Sequence, residues 1–135
     1  MSWVVGAVWD QGTGNWTAPH CADESPRTAA DLERIADRYQ MVNVKLDKAG
    51  GLTEALAMAD RARALGLGVL AGCMVCSSLS IAPQLWIAAQ ADAADLDGPW
   101  WLARDLPGGC RFEAGVLHPP ESGFWGDNAG PRSPP

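Results

Sequence analysis

The stretch VNVKLDKAGGLTEAL, residues 42–56, decides the fold, because a short β-branched run ends at a lysine and passes within a few residues into a helical pattern. Val42 and Val44 alternate with Asn43 and Lys45, which is the two-residue period of a strand with two distinct faces. Two glycines then permit a tight turn before the helix begins. Lys45 is an unusual residue for a buried strand and a suitable one for a site at the strand's carboxyl end.

The same alternation of strand and helix continues on both sides of this stretch. Hydrophobic periodicity predicts strands over 20–23, 41–45, 68–74 and 94–98 and helices over 29–39, 52–65 and 78–91. For the helix over 52–65 we expect a buried stripe of Leu52, Leu56, Ala59 and Leu65, ended by Gly66. Strands that alternate with helices of this length form βα units around a parallel sheet.

The chain divides into three parts by composition. Residues 1–19 hold three tryptophans among glycines and show no helix or strand period, residues 20–106 carry the βα units, and residues 107–135 are rich in proline and glycine. We therefore expect an irregular first segment, one α/β unit, and a C-terminal extension that ends in a frayed tail. The whole chain has 135 residues, which suits one ordinary domain.

Charge and hydropathy exclude two classes of partner. The net charge is -6 and basic residues do not cluster, so we expect no nucleic-acid binding. Leu65 to Ala91 carries no charge, but its serines, glutamines, glycines and Pro83 favour a buried strand followed by a helix over a membrane span. The first residues lack the positive region of a secretory signal, and we expect a cytoplasmic protein.

Four cysteines include the pair Cys73 and Cys76 in the sequence CMVC. This spacing is found in redox pairs and in half of a zinc site. The remaining cysteines and histidines do not supply a clear second pair of zinc ligands. We interpret the cysteines as small buried hydrophobic residues, with a C-x-x-C redox protein as the alternative.

Polar residues fall at the predicted carboxyl ends of strands, where a β/α barrel builds its active site. They are Asp23, Lys45, Asp95 and Asp97. Asp23 is either a turn residue or a ligand for a hard cation such as Mg²⁺. Lys45 is either a surface lysine or a proton-transfer base whose pKa is lowered by desolvation and a nearby cation. We expect the nearby Lys48 to lie in a loop, exposed to solvent.

Asp95 and Asp97 are two residues apart, and we expect them to share one face of the last strand. Two carboxylates so close repel each other unless a cation lies between them. That cation is a metal ion, an arginine or the ammonium group of a substrate. A role as turn acids before Gly98 and Pro99 is the structural alternative.

Five segments together resemble the enolase superfamily, in its mandelate racemase and muconate lactonizing enzyme group. They are ADES at 22–25, VNVKLDKAGGLTEAL at 42–56, GCM at 72–74, DLDGP at 95–99 and LHPPESGFWG at 117–126. The most similar branch is that of the dipeptide epimerases, and the resemblance extends from about His20 to about Gly126. It implies the C-terminal half of a (β/α)8 TIM barrel, with about four βα units.

The resemblance also implies an isomerase chemistry. Asp23 matches one of three carboxylate ligands of a Mg²⁺ ion, and Lys45 matches one of two opposed lysines that remove and return the α-proton of an amino acid residue in a dipeptide such as L-Ala-D/L-Glu. The metal ion in such enzymes stabilises the enediolate formed on deprotonation.

Substrate recognition is implied for the later segments. Asp95 and Asp97 match a D-x-D that holds the free ammonium group of the dipeptide. Cys73 and Met74 match a strand-end segment that lines the substrate site.

The chain differs from a full family member in length. The capping domain, the four earlier strands, the first catalytic lysine pair and two metal carboxylates have no counterpart here, and a complete barrel takes about 250 residues. We therefore expect this polypeptide alone to lack measurable epimerase activity, and we expect copies to associate through the open edges of the half-barrel. The alternative hypothesis is a non-catalytic α/β module used for binding or assembly.

Overall fold

The computed structural model describes residues 19–125, which form a parallel sheet covered by helices and a separate small hairpin. The four sheet strands pair in chain order and all run parallel. The strands are β1 (Cys21–Ala22), β2 (Met41–Val44), β3 (Gly68–Gly72) and β4 (Ala93–Asp95), and the hairpin strands are β5 (Arg111–Glu113) and β6 (Val116–His118). The helices are α1 (Leu46–Ala49), α2 (Leu52–Ala64) and α3 (Ser78–Ala88), with 3₁₀ helices at Ala29–Arg34 and Gly98–Trp101.

One face of the sheet is the core. Val42 and Val44 of β2 and Val69 and Ala71 of β3 are fully buried there, where α2 packs on both strands and α3 packs on β3. Because successive strand residues point to opposite faces, the intervening residues of β2 and β3 belong to the other face. That second face carries the polar residues of the predicted site.

The buried face of α2 differs from the predicted stripe. Ala55, Met58, Ala59 and Ala62 are the buried residues of this helix, whereas the predicted Leu52, Leu56 and Leu65 are only partly buried at its margins. Alanine side chains allow the helix axis to approach the sheet closely, so the small residues lie in the interface and the leucines flank it. The predicted stripe was therefore right for Ala59 and wrong for the three leucines, which lie beside the interface with the sheet.

The predicted helix over 29–39 is a 3₁₀ helix over Ala29–Arg34, followed by turns. The carboxylate of Asp31 accepts hydrogen bonds from the backbone N–H groups of Arg27 and Thr28 and from the Thr28 hydroxyl. These hydrogen bonds hold residues 27–31 in a tight turn around the Asp31 carboxylate. A 3₁₀ helix is the form that such short, tight segments commonly take. Leu32 and Ile35 are nevertheless buried, so the segment packs on the core although it is not an α-helix.

The C-terminal extension is more ordered than its composition predicts. β5 and β6 form an antiparallel hairpin between residues 111 and 118. The buried Ser78 at the start of α3 donates a hydrogen bond to Asp105, and its hydroxyl oxygen accepts one from the backbone N–H of Cys110 at 2.7 Å. This link holds the segment before the hairpin against α3. The expectations for residues 1–18 and 126–135 lie outside the described residues.

The predicted α/β class with parallel βα units is confirmed. Strand bounds differ at the ends: β3 stops at Gly72 rather than at 74, and β4 stops at Asp95 rather than at 98. Within residues 19–125, none of the helices has the length and apolar character needed to cross a membrane.

Candidate active site

The sheet register brings three predicted site residues to one edge and one face. Val44 pairs with Ala71, and Gly72 pairs with Asp95, so Lys45 follows β2 at the level of Gly72 and Asp95. Asp23 follows β1 on the same face of the sheet. The carboxyl ends of parallel strands thus place Asp23, Lys45 and Asp95 in a row, as expected for the active-site end of a βα unit.

Gly72 separates Lys45 from Asp95 without contributing a side chain. The space that its Cβ would fill is taken by the carboxamide of Asn43, whose oxygen and nitrogen would both clash with such an atom. Asn43 is 6% exposed, and its Oδ1 has no hydrogen-bond partner among the described residues. A glycine is required here because the neighbouring strand lays a polar side chain across it.

A charge cluster surrounds the Asp23 carboxylate. Lys45 Nζ lies 2.9 Å from Oδ1 and 3.0 Å from Oδ2, and Lys48 Nζ lies 2.8 Å from Oδ1. The two lysine side chains are 10% and 12% exposed, whereas Asp23 is 42% exposed. Glu24 lies further out, 3.8 Å from Lys45 Nζ. The expectation of a solvent-exposed Lys48 in a loop was wrong: it belongs to α1 and points back at Asp23.

Ion pairing, more than burial, sets the pKa values in this cluster. Burial alone raises the pKa of Asp23, but the hydrogen bonds that Lys48 and Lys45 donate outweigh it, and the net pKa lies below the usual range. Burial lowers the pKa of Lys45, but Asp23 and Glu24 outweigh it and raise the net pKa. The predicted lowering of the Lys45 pKa is therefore contradicted in this arrangement, because a carboxylate rather than a cation faces the amine.

Asp95 and Asp97 lie close to each other. They do not share one face of a strand, and the prediction of a shared face was wrong. Asp95 ends β4, whereas Asp97 has φ -82° and ψ 0° and caps the 3₁₀ helix that follows. Burial and then the negative charge of Asp97 raise the pKa of Asp95, while Lys45 acts in the opposite direction. The indole N–H of Trp101 donates to Asp97 Oδ2 at 2.8 Å. The pair therefore forms a negative site with one carboxylate oriented by an indole.

Cys73 and Met74 follow β3 at the same edge of the sheet. Cys73 is partly buried, and Met74 is 48% exposed. Both approach the backbone at Gly98, directly after Asp97: a Cβ on Gly98 would clash with the Met74 carbonyl and would lie 3.1 Å from Cys73 Sγ. The segment is adjacent to the acidic pair, where a substrate-lining role requires it.

The described residues do not form a complete metal centre. Among residues 19–125 there is no cluster of three or more His, Cys, Asp and Glu side chains suited to a metal ion. Mg²⁺ demands near-octahedral oxygen coordination, and both oxygens of Asp23 already accept hydrogen bonds from lysines. The donor set available here therefore does not fit a Mg²⁺ ion by itself.

Sequence reasoning missed three residues that shape this site. Gly72 and Asn43 interlock across neighbouring strands, which only the register reveals. Gln84 of α3 is 1% exposed and donates to the Val44 carbonyl at 2.6 Å, bracing the strand directly before Lys45. A glutamine inside the apolar run of residues 78–91 was the available signal for this contact.

The fold and the row of polar groups at its carboxyl edge define a class of protein. Residues 13–124 match the enolase C-terminal domain-like family, and the chain belongs to that family. Its parallel sheet is similar to that of the C-terminal domains of the enolase superfamily, as the sequence predicted.

Several of the relatives that this chain is similar to are epimerases, and others are racemases. The chain is 52% identical over 100 residues to the L-Ala-D/L-Glu epimerase of Escherichia coli K12, covering 74% of this chain and 31% of that protein. A solved enolase family member from Agrobacterium tumefaciens, described as homologous to dipeptide epimerases and bound to sodium and L-Ala-L-Glu, matches with TM-score 0.78 at 43% identity. That match covers 83% of this chain and 34% of the other.

A more distant structure links the fold to a metal and a dipeptide. The dipeptide epimerase of Cytophaga hutchinsonii, complexed with Mg and D-Ala-L-Val, matches with TM-score 0.68 at 28% identity, over 76% of this chain and 30% of the other. The chain thus spans about a third of the length of each of these relatives. The predicted resemblance to dipeptide epimerases is confirmed.

Proposed function

We propose that this chain provides one wall of a dipeptide epimerase active site, the wall that holds the substrate ammonium group and one of the two bases. The observation that carries this proposal is the row Lys45, Gly72 and Asp95, in which the register places a lysine and a carboxylate at one level and on one face of the sheet, on either side of a glycine. The kinship with L-Ala-D/L-Glu epimerases supports it. The reaction class is isomerisation at the α-carbon of an amino acid residue.

Lys45 is the proton-transferring group in this proposal. Its side chain is 10% exposed, and its amine is held by Asp23 at the edge of the sheet rather than extended into solvent. An amine that is fixed in position reacts more efficiently than one that must be ordered at each turnover. To act as a base it must first give up a proton, and because Asp23 raises its pKa, any factor that draws Asp23 away favours that step.

The acidic pair binds the substrate's free ammonium group. Two neighbouring carboxylates, Asp95 and Asp97, raise the free energy of the empty site by mutual repulsion, and a bound cation relieves it. The indole N–H of Trp101 donates a hydrogen bond to Asp97 Oδ2, and Oδ1 of the same carboxylate remains to accept one from the substrate ammonium group. Cys73 and Met74 line the side of this site next to Gly98.

Asp23 is proposed to be one ligand of a Mg²⁺ ion whose other ligands lie outside the described residues. A hard cation prefers carboxylate oxygen, and the lowered pKa keeps Asp23 ionised at neutral pH. In this structure Lys45 and Lys48 pair with Asp23, so this carboxylate would supply one oxygen ligand and no more to such an ion. Titrating Mg²⁺ into the chain tests this: binding at micromolar concentration to the chain alone would contradict an incomplete site.

A segment exchange tests the proposed function directly. Residues 20–124 would replace the corresponding segment of the Escherichia coli epimerase, which is 52% identical over 100 residues. We expect the chimera to epimerise L-Ala-L-Glu and its Lys45→Met variant to lose that activity. Arg34→Met, which changes a side chain that is 82% exposed, is the matched control and should leave the activity unchanged. A folded chimera without activity would contradict the proposal.

The isolated chain is proposed to be inactive and to self-associate. Among its described residues Lys45 is the one base that we propose, and these residues hold no cluster of three or more groups suited to a metal ion. We therefore expect two-base epimerisation to lack its second proton donor in the isolated chain. β1 and β4 are edge strands of the described sheet and offer unpaired backbone groups. Light scattering should detect a dimer or larger species; a monomer would contradict the association, and turnover by the isolated chain would contradict the inactivity.

A non-catalytic binding module is the second candidate function. The acidic pair beside a partly buried thiol offers a site for an ammonium group that does not depend on Lys45. Dipeptide binding without any turnover in the chimera would favour this candidate over the epimerase wall. The cytoplasmic location remains a prediction.

A further inference from the structure

The proposed function uses Cys73 only to line the substrate site and does not use Cys76, so the thiol chemistry of the C-x-x-C pair is left unexplained. Cys73 and Cys76 flank the bend after β3, both are partly buried and neither is in a disulfide. Their sulfurs converge on one point: a Cβ placed on Gly98 would lie 3.1 Å from Cys73 Sγ and 3.0 Å from Cys76 Sγ. The two thiols thus share a single space over the backbone that carries Asp97.

The surroundings of the two sulfurs are unequal. Burial and the charges of Asp97 and Asp95 raise the pKa of Cys73, and the hydrogen bonds from the Gly98 backbone N–H and the Cys76 thiol offset this rise only in part. For Cys76, burial and the charges of Cys73 and Asp47 raise the pKa to about 12, and the hydrogen bond with Cys73 adds to this. The hydrogen bond between the two sulfurs lowers the pKa of Cys73 and raises that of Cys76, so Cys73 is the thiol that ionises first and Cys76 is the one that resolves.

We propose that Cys73 and Cys76 are a redox-active dithiol, with Cys73 attacking and Cys76 resolving, whose oxidation displaces the backbone at Asp97 and Gly98. The oxidant is a small-molecule disulfide. The Cys73 thiolate attacks one of its sulfurs and releases the first thiolate, forming a mixed disulfide. Cys76 then loses its proton, attacks Cys73 Sγ and releases the second thiolate. Two electrons pass from the protein to the small disulfide, which becomes two thiols.

Closing the bond has a defined structural effect. A disulfide draws its sulfurs to about 2.05 Å, and Cys73 Sγ then no longer accepts a hydrogen bond as a thiolate from Gly98. Because Gly98 packs against both sulfurs, its backbone and the adjoining Asp97 must move with them. The consequence for ammonium binding rests on the proposed function; disulfide formation itself does not.

Peptide mapping of the full-length chain tests the dithiol. Trypsin cleaves after Arg63 and Arg104 and releases one peptide that contains Cys73 and Cys76 without Cys21 or Cys110. After incubation with oxidised glutathione in native buffer, we expect this peptide to lose the mass of two hydrogen atoms and to recover it with dithiothreitol. Accumulation of stable glutathione adducts without the internal disulfide would overturn the proposal.

Single variants test the assigned order. Cys76→Ser should trap glutathione on Cys73, on the order of tenfold faster than Cys73→Ser traps it on Cys76, because only thiolates attack. In urea the two rates should converge, since the difference depends on folded contacts with Gly98. Equal rates in the native chain, or the same difference in urea, would overturn the assignment. Circular dichroism confirms that both variants are folded.

The effect on the acidic site has its own measurement. The chain has seven tryptophans, so the signal of Trp101 is taken as the difference in fluorescence between wild type and Trp101→Phe. Because Trp101 donates a hydrogen bond to Asp97, this difference should change on oxidation and return on reduction, and Cys76→Ser should give no such change. In the active chimera, reversible loss of activity on oxidation is expected. Disulfide formation without a fluorescence change would overturn the coupling to Asp97, while an inactive chimera that still forms the disulfide would count against the proposed function alone.

Discussion

Lys45 Nζ lies within 3.0 Å of both carboxylate oxygens of Asp23, and the two residues follow different strands, 22 positions apart. The lysine is nearly buried while the carboxylate is half exposed. This pair therefore both anchors the edge of the sheet and fixes the protonation state of the proposed base. Substitution of Asp23 therefore tests how much this ion pair contributes to the stability of the chain, apart from its effect on the reactivity of Lys45.

Asp23→Asn should lower the stability of the chain. The change removes the nearest carboxylate from two nearly buried ammonium groups and leaves Glu24, 3.8 Å from Lys45 Nζ, while the exposure of Asp23 screens the interaction. We expect a loss of about 1–2 kcal/mol in the free energy of unfolding, below the cost for a fully buried pair. Urea denaturation measures this loss. Asp37→Asn, whose side chain is 79% exposed, is the control and should be near neutral; equal losses in both variants would contradict the account.

The difference in unfolding free energy between wild type and Asp23→Asn should depend on pH, and the directions of the Asp23 and Lys45 pKa shifts predict how. The pKa of Asp23 is lowered from 3.8, so its contribution is present above 3.8 and is lost as the pH falls through the lower folded value. The pKa of Lys45 is raised from 10.5, so its contribution is present below 10.5 and is lost as the pH rises through the higher folded value. Urea midpoints of wild type and Asp23→Asn should converge in acid and stay apart at neutral pH.

Asp95→Asn should stabilise the chain and weaken the binding of the dipeptide substrate. Burial and the charge of Asp97 raise the pKa of Asp95, so ionisation at neutral pH opposes folding. The variant should gain about a few tenths of a kcal/mol at neutral pH, since the site is exposed to solvent, and should gain nothing in acid, where wild type is protonated. In the chimera the same variant should raise KM for L-Ala-L-Glu.

A control separates the acidic pair from general charge removal. Asp60→Asn removes a carboxylate that is 81% exposed and lies 3.8 Å from Arg63. This variant should give neither the stabilisation nor the rise in KM. A loss of stability at neutral pH for Asp95→Asn would mean that the acid is satisfied by a partner rather than strained by its neighbour.

Gly72→Ala should destabilise the sheet by about 1–3 kcal/mol, because the new methyl group must displace a well-packed side chain. The atoms displaced belong to the Asn43 carboxamide. Adding Asn43→Ala should recover most of this loss, giving a coupling that a double-mutant cycle in urea detects. Gly68→Ala, on the same strand, comes closest to the flexible Met41 side chain at 3.0 Å and should cost less. Strict additivity of the Gly72 and Asn43 changes would contradict the interlock.

The sequence predicted the sheet and its polar edge because both depend on short periods and strand order. Val42 and Val44 alternate with Asn43 and Lys45, and the parallel register then aligns their ends. It did not predict the ion pair of Lys48, because a one-turn helix with the left-handed Gly50 after it turns this lysine back to Asp23. Such a reversal depends on backbone geometry that hydrophobic periodicity does not contain.

The acidic pair differs from its prediction in a similar way. The spacing of Asp95 and Asp97 predicted one strand face, yet β4 ends at Asp95 and a 3₁₀ turn brings Asp97 close by a different route. Gly98 and Pro99 begin that turn, and proline cannot donate the backbone hydrogen bond that a longer strand needs. Proximity was therefore predicted correctly, but for the wrong geometric reason.

Deuterium exchange at the substrate α-carbon tests the central claim most directly. The chimera carrying residues 20–124 would be incubated in D₂O with each epimer of Ala-Glu, and exchange followed by NMR together with epimerisation. If Lys45 is one of two bases, Lys45→Met abolishes epimerisation and abolishes exchange from only one epimer, because the opposed lysine still serves the other. Exchange from both epimers at the unmodified rate in Lys45→Met would contradict the assignment of Lys45 as the base on this wall.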